Sequence, residues 1–250
     1  MSVEATVHDS ILTIVLNRPE KRNAIDGVTT QQLRTIFDEF EADATVLAAV
    51  LTGAGGTFCS GADLRAGPAG EPIRDEYGFA SFTSRRRQKP VIAAVEGNAY
   101  AGGFEIALTC DLIVAANDAR FAIPEVKRGV MAGPGIWRLG REIPFATAAL
   151  IVLTGEPIGA SRAYELGLVS ELVEPGTALE RATALAGLIA SNSPGSVRET
   201  LGVLRDSVGA SDEEGTALAR RALGRLSKTD DFREGPRAFI EHRPPRWTGH

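Results

Sequence analysis

Hydrophobic and polar positions alternate near the start of the chain, where "VEATVH" and "ILTIVL" flank the pair Asp9-Ser10. Alternation with a period of two, interrupted by a tight polar pair, predicts a β-hairpin. After the loop "NRPEKRNAID", apolar residues recur every three or four positions from Thr30 to Ala42. That spacing predicts an amphipathic helix, whose apolar positions are Leu33, Ile36, Phe37 and Phe40.

Three short apolar runs, "VLAAVLTG", "VIAAVEG" and "DLIVAA", show no such alternation. Continuous apolar runs of this length are typical of strands buried on both faces of a parallel sheet. Between the second and third runs, the stretch from Gly102 to Cys110 has the length of one short buried helix. Strands that alternate with helices predict an α/β fold. The stretch "AGPAGEP", from Ala66 to Pro72, is expected to be a mobile loop within this fold rather than a domain linker.

From about Phe145 onward the pattern becomes helical. The strand-like run "GLVSELV" is the one interruption, and Gly, Pro and Ser separate the helical segments. The predicted helices lie near 145–153, 160–166, 178–191, 196–208, 212–227 and 232–241. We therefore expect two parts, a core over residues 1–195 and a C-terminal helical region over residues 196–250.

The composition is that of an ordinary globular protein, because 44% of the 250 residues are hydrophobic, 24% are charged and the net charge is −5. No basic face is implied, so a nucleic-acid partner is not expected. The apolar runs are far shorter than the roughly 20 residues of a membrane-spanning helix. The first residues, "MSVEATVHDS", lack the basic and apolar regions of a signal peptide. A cytoplasmic protein without a membrane partner is expected.

The histidines restrict the chemistry, since the sequence has three and all lie near its ends: His8, His242 and His250. A Ser/His/Asp or Cys/His mechanism needs a histidine held by the core of the fold. A histidine-based metal site is disfavoured for the same reason. The two cysteines, Cys59 and Cys110, form no CxxC pair and are expected to be reduced thiols. Acid–base chemistry therefore falls to carboxylates, and no metal is expected.

Common nucleotide and hydrolase motifs are absent from the sequence. "TGAGGTF" follows a predicted strand, but Phe58 stands where a GxGxxG fingerprint requires its third glycine. The chain has no GxxxxGK sequence, and Ser60 lies in "FCSGA" rather than in a GxSxG motif. These absences argue against dinucleotide binding, a P-loop and a serine-hydrolase mechanism.

Three motifs remain: "GGTFCSGADL", "NAYAGGFE" and "FAIPEVKRG". In the second, a helix is expected to begin at Gly102, whose N–H has no intrahelical partner and can donate to a developing oxyanion. Glu105 follows about one turn later, and a carboxylate in an apolar helix is costly unless a nearby group needs it. From spacing alone, Glu105 and Glu125 can also be structural carboxylates at helix starts, and Ala62 and Gly102 can be ordinary turn residues.

The order of these motifs resembles the crotonase superfamily, which contains the enoyl-CoA hydratases and isomerases. The resemblance runs from "LNRPEKRNA" to "REGPRAFIEHR" and rests on "SGAD", "KPVIAAVEGNAYAGGFE" and "CDLIVAANDARFAIPE". It implies an α/β, crotonase-like (ClpP/crotonase) fold, in which a spiral of ββα units precedes a C-terminal helical region that builds trimers. A homotrimer or a dimer of trimers is the expected assembly.

The resemblance also implies an active site. Backbone N–H groups of Ala62 and Gly102 are expected to form an oxyanion hole for the thioester carbonyl, with Glu105 and Glu125 as the catalytic pair. Family hydratases use both glutamates, so the expected activity is hydration of a 2-enoyl-CoA thioester to 3-hydroxyacyl-CoA, in fatty acid or related acyl-CoA metabolism. An enoyl-CoA isomerase and a non-catalytic acyl-CoA-binding protein are the alternatives.

The resemblance implies further residues that bind the substrate. No separate cofactor is expected, because coenzyme A is part of the substrate. Asp63 among them can instead shape its loop, and Arg22 can be either a solvated arginine or a contact for a CoA phosphate. The expected substrate-binding residues are Arg22, Ala24, Ser60, Asp63, Leu64, Tyr100, Gly133 and Phe239.

Several positions depart from the family pattern. Ala101 replaces the first glycine of the Gly-rich loop, where little damage is expected because its N–H is not the donor. The loop "GVMAGPGIWRL" is altered where relatives line the acyl pocket, which leaves the acyl preference open. His242 replaces a lysine that contacts CoA, and Arg243 is a candidate replacement. Outside these motifs, "RRRQK", from Arg85 to Lys89, is expected to be a solvated helix end.

Overall fold

The computed structural model describes residues 1–65 and 72–249, so the expected loop at Ala66–Pro72 lies, except for Pro72, outside the described residues. The strands are β1 (Val3–His8), β2 (Ile11–Leu16), β3 (Ala48–Gly53), β4 (Arg74–Asp75), β5 (Gly78–Phe79), β6 (Val91–Val95), β7 (Asn98–Tyr100), β8 (Leu112–Ala116), β9 (Arg120–Ala122), β10 (Ile158–Gly159) and β11 (Glu171–Val173). The helices are α1 (Gly27–Ala42), α2 (Gly102–Thr109), α3 (Pro134–Glu142), α4 (Phe145–Thr154), α5 (Ala160–Glu165), α6 (Ala178–Ala190), α7 (Pro194–Asp206), α8 (Asp212–Leu226) and α9 (Asp231–Ile240).

The N-terminal hairpin is confirmed. β1 pairs antiparallel with β2, and the turn residues Asp9 and Ser10 both have positive φ, at 47° and 64°. Two left-handed residues in succession give the turn whose twist matches that of the flanking strands. The following helix α1 begins earlier than expected because Asp26 caps it, its side chain accepting a 2.8 Å hydrogen bond from the N–H of Thr29.

The three continuous apolar runs become β3, β6 and β8, which are adjacent parallel strands of a six-stranded sheet with the order β1-β2-β3-β6-β8-β11. All five residues of β6 are buried, as expected for a parallel strand covered on both faces. Helix α6 covers one face through Ala178, Ala182 and Ala186. Their four-residue spacing puts three small side chains on one side of the helix, which lets α6 lie close to the sheet.

A second sheet, with the order β10-β9-β7, shares the main core with the first. The chain runs from β6 in the large sheet to β7 in the small sheet and then into α2. It repeats this course from β8 to β9 and into a 3₁₀ turn at Glu125–Arg128. β6 pairs in parallel with β8, and β7 with β9, so successive units stack. This arrangement confirms the expected spiral of ββα units.

The helical character of the C-terminal part is confirmed by α4 to α9, and "GLVSELV" contributes only β11 beside β8. Helix α3 is not predicted by the sequence pattern, because it contains Pro134 and two glycines, which are poor helix formers. Pro134 occupies the first turn, where proline is tolerated, and Leu139 is buried. The division after residue 195 falls in the first turn of α7 and stays a prediction. None of the helices in the described ranges is long and apolar enough to cross a lipid bilayer.

The expectation of a solvated helix end at Arg85–Lys89 is wrong. The segment is not helical, and Arg85, Arg87 and Lys89 are buried, with exposures of 9%, 7% and 6%. Each of the three cations lies over an aromatic ring; for Arg87 the ring is that of Phe82, whose centroid is 4.6 Å away. Buried and exposed residues alternate along this segment. The ring contacts and hydrogen bonds offset part of the cost of burying charge, while Nε and Nη1 of Arg87 have no hydrogen-bond partner among the described residues.

Candidate active site

Two loops meet at the N-terminal end of α2, one containing Gly61 and Ala62 and the other Ala101 and Gly102. Gly61 has a φ of +92°, and a Cβ atom there would lie 2.9 Å from the backbone nitrogen of Gly102. Glycine is therefore needed for the loops to approach this closely. Within the ranges that the structure describes, the N–H groups of Ala62 and Gly102 have no hydrogen-bond acceptor. Two neighbouring free donors of this kind are what an oxyanion hole requires.

Glu105 lies in the first turn of α2, a helix in which all eight residues are buried. The residue is 1% exposed, and its Oε1 accepts a 2.9 Å hydrogen bond from the N–H of Gly135 in α3. A Cβ atom at Gly133 would lie 3.2 Å from the same oxygen. The N-terminal ends of α2 and α3 thus converge on one carboxylate. The N–H of Gly135 and the dipoles of the two helices offset the cost of burying it.

Glu125 opens the 3₁₀ turn that follows β9 and Pro124. Its Oε2 is buried and has no hydrogen-bond partner in the described part of the chain. Burial raises the pKa of the Glu125 carboxyl above its usual value, and the neighbouring charge of Glu105 acts in the same direction. A carboxyl with a raised pKa keeps its proton to a higher pH, which suits a proton donor.

One cavity of about 450 Å³ brings these groups together. Its walls come from the loop before α1, the two loops at the start of α2, the β4–β5 hairpin and the turn after β9. A cavity with few, convergent polar groups among apolar side chains is the usual form of a small-molecule site. The predicted site residues that line it are Arg22, Ser60, Ala62, Leu64, Tyr100, Gly102, Glu105 and Glu125.

Four predicted binding residues do not line this cavity. Ala24 is buried, and its carbonyl oxygen accepts a hydrogen bond from Arg18. Asp63 accepts a 3.0 Å hydrogen bond from the same arginine, which fits a role in shaping its loop. Gly133 lies against the carboxylate oxygen of α2 described above, and Phe239 in α9 is 81% exposed. Contacts of these four residues with a substrate stay predictions.

Sequence reasoning missed the contribution of the β4–β5 hairpin. Arg74 and Phe79 are cross-strand partners, and the Arg74 guanidinium lies 5.3 Å from the centroid of the Phe79 ring. A Cβ atom at Gly102 would lie 2.3 Å from that ring, so glycine at this position makes room for Phe79. Strands of two residues give no periodic signal that could have identified them. The other lining residues outside the predicted set are Ala101, Pro124, Arg128, Val130 and Met131.

The expectation that Ala101 does little damage holds for its N–H, which donates to the carbonyl oxygen of Ala122 at 2.9 Å. The backbone conformation of Ala101 is nevertheless unfavourable, since its φ is 54° and its ψ is −129°. Side-chain-bearing residues rarely adopt this conformation, and holding one there costs on the order of 1–3 kcal/mol. The glycine of the family pattern would avoid that strain.

Arg243, the candidate replacement for the family lysine, is already paired. Its guanidinium lies 2.6 Å from carboxylate oxygens of both Glu234 and Glu241. The hydrogen bonds from Arg243 lower the pKa of Glu234 to about 2. A contact between Arg243 and a CoA phosphate would therefore require these pairs to open.

Comparisons with known proteins agree with this geometry. The match to the family described as Enoyl-CoA hydratase/isomerase spans residues 6–250. The chain is 38% identical to the mevalonyl-coenzyme A hydratase of Aspergillus fumigatus, over 95% of this chain and 91% of the relative. It is 35% identical to the carnitinyl-CoA dehydratase of Proteus mirabilis, over 99% of this chain and 98% of the relative. The chain also superposes on the crystal structure of an enoyl-CoA hydratase from Mycobacterium tuberculosis with a TM-score of 0.96. The two sequences are 46% identical, and the match covers 100% of this chain and 99% of that one. The chain therefore belongs to the enoyl-CoA hydratase/isomerase family and has the fold of the crotonase superfamily.

Proposed function

We propose that the protein is an enoyl-CoA hydratase, a hydro-lyase that adds water across the 2,3 double bond of a 2-enoyl-CoA thioester. The product is the 3-hydroxyacyl-CoA. The observation that carries this proposal is the convergence of Glu105 and Glu125 with the free N–H groups of Ala62 and Gly102 around one cavity. The similarity to a hydratase and a dehydratase of CoA thioesters supports the same reaction class.

Conjugate addition moves negative charge onto the thioester oxygen, where the N–H groups of Ala62 and Gly102 are available as donors. Loss of one such donor costs about 10²–10³ in kcat. Glu105, held by Gly135, orients the attacking water and accepts its proton as the water oxygen bonds to the β-carbon. Glu125 gives its proton to the α-carbon. At the end of the reaction Glu105 has gained a proton and Glu125 has lost one. A proton transfer from Glu105 to Glu125 therefore restores the starting state of the enzyme.

The raised pKa of Glu125 fits this division of labour, because the group that donates to the α-carbon must be protonated at the start. The proposed reaction uses no metal and no cofactor besides the CoA of the substrate. Within residues 1–65 and 72–249, no group of three or more His, Cys, Asp or Glu side chains is arranged to hold a metal ion.

The direct test is the loss of ultraviolet absorbance of the conjugated thioester when the protein is mixed with crotonyl-CoA, followed by longer and branched acyl chains. Glu105→Gln and Glu125→Gln should each lower kcat by about 10²–10⁴ with little change in binding. Glu39→Gln, at an exposed position of α1, is the matched control and should keep wild-type turnover.

Near-wild-type turnover by either active-site variant would refute the two-carboxylate mechanism. The same absorbance, followed also with a 3-enoyl-CoA as substrate, separates the alternatives. An isomerase would move the double bond of a 3-enoyl-CoA without adding water, and a non-catalytic binding protein would leave the absorbance unchanged.

The assembly is also a proposal, namely a trimer or a dimer of trimers. Helix α4 exposes Phe145, Leu150 and Leu153 at 82%, 64% and 73%, and α9 exposes Phe239 and Ile240 at 81% and 75%. Large exposed apolar side chains in such density are typical of interaction surfaces. Light scattering that gives a stable 26.4 kDa monomer at micromolar concentration would refute the proposal. A cytoplasmic location and a role in fatty acid metabolism stay predictions.

A further inference from the structure

The β4–β5 hairpin places one cation at the candidate active site. Successive residues of a strand face opposite sides, so Arg74 and Asp75 diverge. Asp75 faces Arg34, with 3.4 Å between the charged groups, and Arg34 also pairs with Glu76 at 2.5 Å. The carboxylates next to Arg74 in the sequence are therefore engaged elsewhere, while Arg74 itself lies over the ring of Phe79 and lines the cavity.

Arg74 is exposed and forms no ion pair and no hydrogen bond with any residue that the structure describes. It nevertheless lies close to the candidate catalytic pair, because burial raises the pKa of Glu125 and the charge of Arg74 opposes that rise. A Cβ atom at Gly133 would lie 3.1 Å from Nη1 of Arg74 and 3.2 Å from Oε1 of Glu105, so the two charged groups flank one glycine. Their separation nevertheless exceeds the 4.0 Å of an ion pair. The guanidinium is thus an exposed cation that lines the cavity and has no ion-pair or hydrogen-bond partner among the described residues.

We propose that Arg74 binds a second carboxylate on the acyl group, so that the preferred substrate is a short 2-enoyl-CoA with a carboxylate at its far end. This inference rests on the proposed hydratase function. The guanidinium is exposed to solvent, and an aliphatic acyl chain in this cavity would offer it no acceptor. A carboxylate matches the planar donor fork of arginine and forms charge-assisted hydrogen bonds with it.

The geometry also sets the length of the acyl group. The thioester oxygen is expected at the N–H of Gly102. Gly102 and the Arg74 guanidinium both lie against the ring of Phe79. Contact with the same ring keeps the guanidinium close to the thioester site, so the second carboxylate would lie a few bonds beyond the double bond. Arg22 and Arg128 line the same cavity, but neither has a comparable contact with Gly133 or Phe79.

The test compares crotonyl-CoA with glutaconyl-CoA, which is the same thioester with a carboxylate on the terminal carbon. In the wild-type protein, kcat/KM for glutaconyl-CoA should exceed that for crotonyl-CoA by at least about tenfold, as one charge-assisted contact allows. Arg74→Met should reverse or abolish this ratio, mainly through KM for glutaconyl-CoA. Arg74→Lys should restore part of it, because lysine keeps the charge but not the fork.

Two comparison variants identify the residue responsible. Arg128→Met removes another cation from the same cavity and should preserve the substrate ratio. Arg86→Met removes a cation with a side chain 86% exposed and outside the cavity, and should leave both activities unchanged. If Arg74 acted only through the charge of Glu125, Arg74→Met would shift the pH profile with crotonyl-CoA and leave the substrate ratio intact, and that result would overturn the proposal.

The inference also fails if the wild-type protein hydrates crotonyl-CoA without preferring glutaconyl-CoA, or if the preference survives in Arg74→Met. In both cases the hydratase function stands. If neither thioester, nor longer and branched ones, is hydrated, the proposed function itself fails and the assignment of Arg74 falls with it.

Discussion

The N–H of Gly135 and Oε1 of Glu105 form a 2.9 Å hydrogen bond that connects α3 to α2. It ties a helix that the sequence pattern does not predict to the carboxylate that the sequence singles out most clearly. Among the described residues, Oε2 of Glu105 accepts no hydrogen bond, which leaves that oxygen for a water molecule or the substrate. The position of α3 therefore helps to set the orientation of the Glu105 carboxylate.

The first prediction tests this connection. In Gly135→Ala, the new Cβ would lie 2.8 Å from Cγ of Glu105, so the carboxylate must shift. We expect kcat to fall by about 10² with little change in KM, since a displacement of about 1 Å has that effect on a catalytic group. Gly140→Ala in the same helix is the control, because nothing lies within 4 Å of its Cβ, and it should keep wild-type kcat. Unchanged kcat in Gly135→Ala would show that α3 does not position Glu105.

The second prediction concerns the packing of Gly102 against Phe79. Gly102→Ala should lower the free energy of unfolding by about 1–3 kcal/mol, because its Cβ would meet the ring at 2.3 Å. In a Phe79→Leu background, where the ring is gone, the same substitution should cost at least about 1 kcal/mol less. Urea unfolding of the four proteins of this cycle measures the difference. Strictly additive losses would mean that the alanine is accommodated by some other movement.

The third prediction is a gain in stability. Ala101→Gly relieves a positive φ that costs on the order of 1–3 kcal/mol, against about 0.5–1 kcal/mol for the greater freedom of glycine in the unfolded chain. We expect the free energy of unfolding to rise by about 1 kcal/mol. Ala99→Gly, two residues away at a position of ordinary φ in β7, should instead destabilise the protein. A loss of stability in Ala101→Gly would indicate that the backbone there is not strained.

The fourth prediction follows from the raised pKa of Glu125. The folded chain binds the Glu125 proton more tightly than the unfolded chain, so stability falls as the pH rises from the unfolded to the folded pKa. Above the pKa of Glu125 in the folded chain, the full cost of burying the ionised carboxylate is subtracted from the free energy of unfolding. Glu125→Gln should therefore raise the free energy of unfolding near neutral pH and bring no such gain in acid below the usual glutamate pKa. Unfolding curves of the wild-type protein and Glu125→Gln, measured near neutral pH and in acid, test this prediction. A difference in stability between the two proteins that does not vary with pH would contradict it.

The same pKa predicts the pH dependence of the reaction. The rate should fall on the alkaline side as Glu125 loses its proton, at a pH above the ordinary range of glutamate. A kcat profile between about pH 5 and pH 10 measures this limb. A profile without an alkaline decrease would remove Glu125 from the role of proton donor.

Local sequence is sufficient for the elements whose pattern reports burial directly. A strand covered on both faces needs apolar residues throughout, so the runs that become β3, β6 and β8 are visible in the sequence. The hairpin turn at Asp9-Ser10 is equally local, because two adjacent residues supply its geometry. Through the family resemblance, the order of the motifs along the chain also predicts the pair Glu105 and Glu125.

Only the tertiary structure decides what lies opposite these elements. Arg74 and Phe79 reach the site from strands of two residues each, and Gly135 reaches Glu105 from a helix with weak intrinsic propensity. Charge alone suggests that the cations of Arg85–Lys89 lie in solvent, yet aromatic rings cover three of them. A sequence pattern shows which face of an element is buried. The partner on that face is set by contacts between residues far apart in the chain, whose energies depend on the whole packed fold.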